Sequence, residues 1–301
     1  MEIKITRAED GHILRSFLKE TLGLSSATVT ALKGKEDGIL LNGTHVTVRA
    51  VLREGDVLSL SLSDTESNQN LVPCDLPITI LYEDEDITLC NKSGDMPTHP
   101  SHGHYDDTLA NALAYRYADH PYVFRAITRL DRETSGVVLT ARNAHAAHKL
   151  SLAMRQGEFE KIYFALVEGE APASGEIDLP IRRAEGSVIT REVHPSGAPS
   201  LTRYRRIHTD GNYSLLAVFP QTGRTHQIRL HLSAIGHPIC GDCLYGHEGN
   251  GFPRTFLHAA SLSFPHPKDG HPVTVFAPLA DDIALLLTRL SFPIPTRTDI
   301  P

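Results

Sequence analysis

The sequence predicts an α+β protein whose main sheet is mixed and largely antiparallel. Residues 200–206 and 213–219 are β-prone and flank the turn-forming sequence Asp210-Gly211-Asn212, which is typical of an antiparallel hairpin. Most other predicted strands are also joined by turns, whereas a parallel sheet needs a long crossover between neighbouring strands. At 301 residues the chain can bury a large core, and we expect helices and loops to flank the sheet.

Residues 1–63 predict a small module of their own. Apolar residues recur at helical spacing between positions 13 and 22, and Asn42-Gly43 separates two β-prone runs, a hairpin signal because both residues tolerate positive φ. Two helices and a short sheet, with LLNG and REGDVL at this spacing, resemble the small RNA-binding module first described in a bacterial ribosomal protein. A structural add-on is the alternative, because the eight basic residues of this segment are matched by eight acidic ones.

A domain boundary is predicted after this module. Residues 64–70 are polar throughout and read as a linker, and residues 71–301 then form the second domain. The N-terminus has no apolar run behind a basic start, and no window approaches the roughly 18 apolar residues of a membrane span. Four cysteines in a chain of this length do not indicate a disulfide framework, so we expect a cytoplasmic protein with no membrane partner.

Charge is unevenly distributed along the chain. The net charge of -7 argues against a protein that binds nucleic acid through bulk positive charge. Between positions 182 and 229, however, eight arginines face three acidic residues and no lysine. An acidic protein with one arginine-rich face can still bind a polyanion there.

The segment TRLDRETSG is the strongest candidate for chemistry. It places Asp131 between Arg129 and Arg132, and Thr134-Ser135-Gly136 has the composition of a tight turn. The apolar run at 137–139 predicts a buried strand, which would anchor the loop that carries the acid. Taken alone, the segment is explained equally well by an ion-pair cluster before a strand.

Four segments together resemble the RluA-type pseudouridine synthases. They are TRLDRETSG, EKIYFALVEG, QTGRTHQIRLHLSAIGHPICGD and FLHAASLSFPHP, in the family's order, within a resemblance that spans about residues 78–278. The resemblance implies a cofactor-free isomerase that converts specific uridines of structured RNA, ribosomal or transfer RNA, to pseudouridine. In that reaction the uracil leaves the ribose at N1, turns, and is rejoined through C5.

The resemblance also implies three catalytic residues, Asp131, Tyr163 and Arg224. Breaking a glycosidic bond calls for a carboxylate near C1′, which by resemblance is Asp131. A nearby cation favours the ionised carboxylate, and by resemblance Arg224 supplies it through a two-pronged contact. Tyr163 shares a strand face with Lys161 and matches the tyrosine whose ring stacks on the flipped uracil.

Further basic residues are expected to contact RNA. Arg129 matches the position that fills the gap left by the extruded nucleotide, although Thr128 stands where many relatives have histidine. The predicted RNA-contacting residues are Arg129, Arg132, Lys161, Arg203, Arg205 and Arg229.

Two other function classes remain as alternatives. One is a protein of the same fold that binds RNA without modifying it. The other is a metal-dependent hydrolase, suggested by Cys240-Gly-Asp-Cys243 and by seventeen histidines. No second cysteine pair is present, and we interpret the histidines inside the matching segments as framework: His226, His231, His237, His258 and His266. We therefore expect no metal, and we also expect a monomer without a cofactor.

Overall fold

The computed structural model describes residues 1–24, 26–62, 67–68, 71–247 and 251–299. A nine-stranded sheet forms its largest element, with strands in the order β5-β6-β7-β14-β8-β13-β12-β9 and β15 paired to β14. These strands are β5 (Thr79–Glu83), β6 (Ile87–Lys92), β7 (Ser135–Ala141), β8 (Glu160–Glu168), β9 (Ser174–Asp178), β12 (Leu201–Thr209), β13 (Tyr213–Pro220), β14 (Leu257–Pro265) and β15 (Pro272–Phe276). Only the β7–β14 pair is parallel among the pairs of this sheet, so the predicted α+β class with a largely antiparallel sheet is confirmed.

The N-terminal segment has its own antiparallel sheet, in the order β1-β4-β2-β3. Its elements are β1 (Glu2–Lys4), α1 (Leu14–Ser16) continuing into a π-helical turn (Phe17–Thr21), α2 (Ser26–Lys33), β2 (Ile39–Leu41), β3 (Thr44–His45) and β4 (Val57–Leu60). Asn42 and Gly43 both have positive φ in the turn between β2 and β3, which confirms the predicted hairpin. The hydrophobic cluster beneath this sheet draws on residues 3–62 only.

The helices around the large sheet are α3 (Leu109–Arg116), α4 (Ala144–Arg155), α5 (Gln227–Ala234) and α6 (Asp281–Arg289). Asn143 caps α4, because its side chain accepts a hydrogen bond from the Ala146 amide at 2.8 Å. None of the described helices combines the length and the apolar composition needed to cross a membrane.

The segment 171–199 contains three short strands. β9 extends the large sheet by pairing with β12, and β10 (Ile181–Arg183) pairs with β11 (Arg191–Val193) as a separate hairpin. These strands are short and rich in polar residues, so the apolar alternation that identifies a strand in sequence is weak here.

Gly136 has a role that differs from the predicted turn. Ser135 and Gly136 lie within β7, where Gly136 has φ +114°. A β-carbon at this position would lie 2.2 Å from the carbonyl oxygen of Ala259 on β14. Glycine therefore lets β14 approach the strand that follows the Asp131 loop.

The described part of the predicted linker, Ser67 and Asn68, is attached to the second domain. The Tyr122 amide donates to Ser67 Oγ at 3.1 Å, and the Phe124 amide donates to Asn68 Oδ1 at 2.7 Å. The rest of the 64–70 linker lies outside the described residues. The division into domains 1–63 and 71–301 remains a prediction.

Candidate active site

A cavity of about 960 Å³ opens between the Asp131 loop, strands β8, β13 and β14, and the start of α5. Seven of the nine residues predicted for the site line it: Asp131, Tyr163, Arg224, Arg129, Lys161, Arg203 and Arg229. The other two lie outside it. Arg132 is exposed, with its guanidinium 3.8 Å from the Glu133 carboxylate, and Arg205 donates to the carbonyl of Asp299 at 2.6 Å.

Backbone hydrogen bonds fix the loop on both sides of Asp131. Thr98 Oγ1 donates to the carbonyl of Leu130 at 2.9 Å and accepts from its amide at 3.2 Å. The Thr134 amide donates to the carbonyl of Asp131 at 3.1 Å. The backbone that carries the carboxylate is therefore held before any substrate binds.

Lys92 provides a further attachment from below the loop. Its side chain is fully buried, and its Nζ donates to the carbonyls of Ser93, Met96 and Arg132 at 2.8, 2.7 and 3.1 Å. Burial, with repulsion from Arg254, lowers the pKa of Lys92 to about 7. The C-terminal end of β6 is thereby tied to the residue after Asp131.

Arg254 ties the far end of the loop to α6. It donates to the carbonyl of Glu133 at 2.7 Å and to Ser135 Oγ at 3.2 Å, while Asp282 receives two of its hydrogen bonds at 2.6 and 2.9 Å. A β-carbon at Gly94 would lie 2.4 Å from Arg254 Nε. Glycine at position 94 therefore makes room for the arginine.

The cation beside Asp131 is Arg229, and the expected pairing with Arg224 is corrected by the geometry. Arg229 Nη1 lies 3.5 Å from Asp131 Oδ2, and His226 Nε2 lies 3.9 Å from the same oxygen. Arg224 is exposed, and its Nε donates to the carbonyl of Pro199 at 3.3 Å. Helix α5 begins only at Gln227, so Arg229 lies in its first turn and faces inward while Arg224 stays on the preceding loop.

Arg229 itself is held by a second carboxylate. Its Nε and Nη2 donate to Asp242 Oδ2 and Oδ1 at 2.7 and 2.6 Å, and both side chains are buried. Burial alone would lower the pKa of Arg229, but the hydrogen bonds and the charge of Asp242 outweigh burial and raise it. The guanidinium therefore stays charged, and its two-pronged contact is made to Asp242 and not to Asp131.

Tyr163 and Lys161 both reach the cavity from β8, as their predicted shared face requires. Burial and the nearby charge of Asp131 raise the pKa of Tyr163, so its phenol is neutral at physiological pH. Burial lowers the pKa of Lys161, which makes no ion pair with any described residue. Phe164 and Leu166, by contrast, lie fully buried in the core.

Thr128 and Arg129, which precede Asp131 in the loop, have different roles. The Leu139 amide donates to Thr128 Oγ1 at 2.9 Å, so this hydroxyl fastens the loop to β7. Arg129 lies exposed at the cavity mouth, where its Nη2 is 3.5 Å from Thr225 Oγ1. Threonine at position 128, where many relatives have histidine, therefore anchors the loop to β7. Arg129 is a basic residue that faces the opening of the cavity.

Two features of the site were not predicted from the sequence: the role of Asp242 and the backbone at the start of α5. The N-cap residue is His226, in the left-handed region at φ 58°, and the Gln227 side chain accepts a hydrogen bond from the Arg224 amide at 3.0 Å. The sequence offered one signal for Asp242. It is the acid at the end of GHPICGD, inside a segment that matches the family, and an acidic residue that is buried needs a partner.

Comparisons with known proteins identify the family of this chain. The profile of the family described as RNA pseudouridylate synthase matches residues 86–234. The uncharacterised RNA pseudouridine synthase YjbO of Bacillus subtilis is 36% identical over 269 residues, which cover 88% of this chain and 95% of the relative. The chain belongs to the RNA pseudouridylate synthase family.

Two further comparisons extend over most of the chain. The ribosomal large subunit pseudouridine synthase D of Vibrio cholerae is 34% identical over 293 residues, covering 92% of this chain and 86% of the relative. The solved structure of human RNA pseudouridylate synthase domain containing 1 superposes with a TM-score of 0.57 at 27% identity, covering 73% of this chain and 97% of that one. The chain is thus an RNA pseudouridine synthase, an isomerase, as the four segments predicted.

The histidines in the matching segments differ in their surroundings. His231, His237 and His258 each contact a backbone carbonyl, those of Leu179, Glu168 and Ala277, and His266 contacts the Asp84 carboxylate at 2.8 Å. These contacts fit the interpretation of those four as framework. His226 is the exception, because it lines the cavity beside Asp131.

Proposed function

We propose that this chain isomerises specific uridines of ribosomal RNA to pseudouridine, with Asp131 as the catalytic carboxylate. One observation carries the proposal. Asp131 Oδ2 faces Arg229, while Oδ1 has no hydrogen-bond partner among the described residues and belongs to a side chain that lines the same cavity as Tyr163. One oxygen is thereby held, and the other is available to the ribose of a flipped uridine.

The geometry fits the demands of the reaction. The N1–C1′ bond must break and a C5–C1′ bond must form, with a proton lost at C5 and one gained at N1. A carboxylate beside C1′ stabilises the electron-poor ribose while the uracil is detached, and Arg229 lies 3.5 Å from that carboxylate as its counter-ion. The neutral Tyr163 offers a ring for stacking and a hydroxyl for hydrogen bonding to the base.

The cations at the cavity mouth suit an RNA substrate. Arg129, Arg203 and Arg224 are exposed at its edge, and Lys161 lies half-buried inside it. Phosphate contacts of this kind position RNA, whereas the bound base carries the specificity. The name of the Vibrio cholerae relative makes large-subunit ribosomal RNA the first substrate to test. A pseudouridine map of the RNA from cells with and without this gene would identify the substrate. If only transfer RNA lost pseudouridine without the gene, transfer RNA would replace ribosomal RNA as the proposed substrate.

The test of the catalytic role is Asp131→Asn, with Glu133→Gln as the matched control in the same loop. Glu133 accepts a hydrogen bond from Thr255 at 2.5 Å and does not line the cavity. We expect Asp131→Asn to abolish pseudouridine formation on an RNA hairpin and Glu133→Gln to retain it. Both should unfold within about 1 kcal/mol of wild type, because a partly exposed ion pair contributes little to stability.

Activity in Asp131→Asn would disprove the catalytic assignment. RNA binding by a wild-type protein that forms no pseudouridine on any RNA would instead support the alternative of a binding-only protein. Outright unfolding of Asp131→Asn would show that the acid is structural.

We also propose that the chain acts as a cytoplasmic monomer with an N-terminal module at 1–63. The described residues that line the cavity all lie between 127 and 262 of one chain, so no second copy is needed to complete it. Light scattering of the protein with and without RNA would test the monomer.

A further inference from the structure

His226 combines a strained backbone with a buried position at the reaction centre. It has φ 58° and ψ 18°, a conformation that non-glycine residues rarely adopt and that is energetically costly for a residue with a β-carbon. Its side chain is only 10% exposed. Strain of this kind persists where the surrounding contacts determine it, and it frequently marks a functional position.

The Tyr245 hydroxyl lies beside Nδ1 of the imidazole and influences which ring nitrogen carries the hydrogen. The Arg191 amide donates to the Tyr245 hydroxyl at 2.8 Å, so the hydroxyl oxygen acts as an acceptor there. The same hydroxyl lies 2.9 Å from His226 Nδ1. If the hydroxyl gives its own hydrogen to Nδ1, both groups are satisfied, and the ring hydrogen then lies on Nε2.

The opposite side of the ring faces the catalytic carboxylate. His226 Nε2 is 3.9 Å from Asp131 Oδ2, the oxygen that Arg229 also approaches at 3.5 Å. Burial lowers the pKa of His226 and the charges of Arg229 and Arg191 lower it further, against an opposing effect of Asp131. The ring is therefore neutral at physiological pH, and with its hydrogen on Nε2 it directs one N–H toward the carboxylate.

The loop at residues 242–245 positions both groups that face Asp131 Oδ2, namely Arg229 and His226. Asp242 holds Arg229 and also accepts hydrogen bonds from the Leu244 and Tyr245 amides at 2.9 and 3.1 Å. Tyr245, fixed in this way, holds His226. Residues 242–245 thereby determine where a cation and a neutral donor meet Asp131.

We propose that His226 is a positioning residue for Asp131, with its Nε2–H aimed at the carboxylate through the hydrogen bond that Tyr245 makes to Nδ1. The inference rests on the proposed catalytic role of Asp131. One cation at 3.5 Å leaves the carboxylate free to rotate, and a second donor on the same oxygen limits that rotation and presents Oδ1 to the ribose. Catalytic hydrogen bonds that are long in the free enzyme tighten when substrate binds, and such tightening would close the 3.9 Å gap.

Two substitutions at the same position separate this role from a structural one. His226→Asn can keep a partner for Tyr245 and tolerates the left-handed conformation well, but it has no donor near Asp131. His226→Gln can extend its amide to the place of Nε2, but it adopts this backbone less readily. The proposal therefore ranks the two variants oppositely in stability and in activity. His226→Asn should have the higher melting temperature, and His226→Gln should have the higher kcat.

On an RNA hairpin we expect His226→Asn to lower kcat about 10- to 100-fold, the effect of losing a hydrogen bond to a charged group. His226→Gln should retain kcat within about fivefold, and KM should change little in either variant. Tyr245→Phe keeps the ring and removes only the hydroxyl, so it should lower kcat a few-fold without changing the fold. This third variant decides the matter if both His226 variants fail to fold.

A wild-type kcat in His226→Asn, an equal loss in both variants, or a loss confined to KM would overturn the proposal. If the His226 variants fail to fold, a wild-type kcat in Tyr245→Phe would overturn it too. Asp131→Asn assayed in parallel distinguishes the two claims. An inactive Asp131→Asn beside an unaffected His226→Asn removes only the positioning role, whereas an active Asp131→Asn removes the proposed catalytic role itself.

Discussion

The inner wall of the cavity and its rim use basic residues in different ways. The inner wall comprises Arg229 and His226, which line the cavity, together with Asp242 and Tyr245, which hold them without lining it. The four are linked by hydrogen bonds or ring contacts and are largely screened from solvent. The rim comprises Arg129, Arg203 and Arg224, which are exposed. Arg129 and Arg224 have no carboxylate partner among the described residues, and Arg203 has only the exposed Glu176.

The difference shows how burial determines what a cation can do. A buried guanidinium must be paired, but it acts strongly on a neighbouring charge because the surrounding dielectric constant is low. An exposed guanidinium acts weakly on its neighbours and remains available to phosphates, with a salt-dependent contribution to binding. We therefore expect changes in the inner wall to affect stability and turnover, and changes in the rim to affect RNA affinity.

The largest effect on stability is expected from Asp242→Asn, which leaves the Arg229 charge buried without its full partner. Breaking a buried pair from one side costs about 3–5 kcal/mol. Glu176→Gln is the matched control, since Glu176 pairs with Arg203 at the rim at the same close range, 2.7 Å, and should cost about 1 kcal/mol or less. Denaturant unfolding of both variants measures the difference. Equal losses would remove the distinction between wall and rim.

Lys92→Met should have the next largest effect. It leaves three carbonyls, one buried and two partly buried, without their donor and should cost about 1–3 kcal/mol. The pKa of Lys92 falls from 10.5 in the unfolded chain to about 7 in the folded one, so between these values the unfolded chain binds the extra proton. Folding stability therefore rises with pH across this window, and below about pH 7 the term is constant.

The stability difference between wild type and Lys92→Met should accordingly increase from pH 7 to pH 9, by up to ~1.4 kcal/mol per pH unit. Urea unfolding of both proteins at each pH cancels the contributions of other titrating groups. A difference that does not change with pH would show that folding leaves the pKa of Lys92 unshifted.

A smaller effect, on binding, is expected from Arg129→Ala. Arg129 and Arg132 flank Asp131 in sequence, but only Arg129 lines the cavity, so Arg132→Ala is its matched control. Losing one phosphate contact should weaken RNA binding and reduce the slope of log affinity against log salt by about 1. Arg132→Ala should change neither quantity. Identical salt slopes in the two variants would show that the cavity mouth does not select the RNA-contacting arginine.

The smallest effect is expected from removing the N-terminal module. A chain that begins at Ser67 keeps the contacts of Ser67 and Asn68 with residues 122–124 and should fold and modify a short hairpin normally. Its affinity for long structured RNA should fall slightly, with a slope change of about one or two phosphates, because the basic and acidic residues of the module are equal in number. Identical affinity and slope for both proteins would show that the module does not bind RNA.

Sequence patterns predicted the large sheet and seven of the residues that line the cavity for identifiable reasons. Period-2 alternation placed Lys161 and Tyr163 on one face of β8, and the NG turn fixed the register of the N-terminal hairpin. The segment around Asp131 predicted both the loop and the strand that anchors it. These features depend on residues close together in the sequence.

The remaining features depend on contacts that no local pattern contains. Choosing between Arg224 and Arg229 requires the start of α5, which follows from the unusual backbone of His226. The requirement for Gly136 comes from Ala259, more than one hundred residues later, and that for Gly94 comes from Arg254. In each case the deciding contact is made by a distant segment of the folded chain.

The most direct test of the difference between wall and rim compares Arg229→Lys with Arg224→Lys. Both substitutions keep the positive charge and remove the planar fork, so they differ only in position. With saturating RNA, Arg229→Lys should lower kcat at least about tenfold with little change in RNA affinity, whereas Arg224→Lys should leave kcat unchanged. A large loss of kcat in Arg224→Lys beside normal turnover in Arg229→Lys would contradict the account and restore Arg224 as the partner of Asp131.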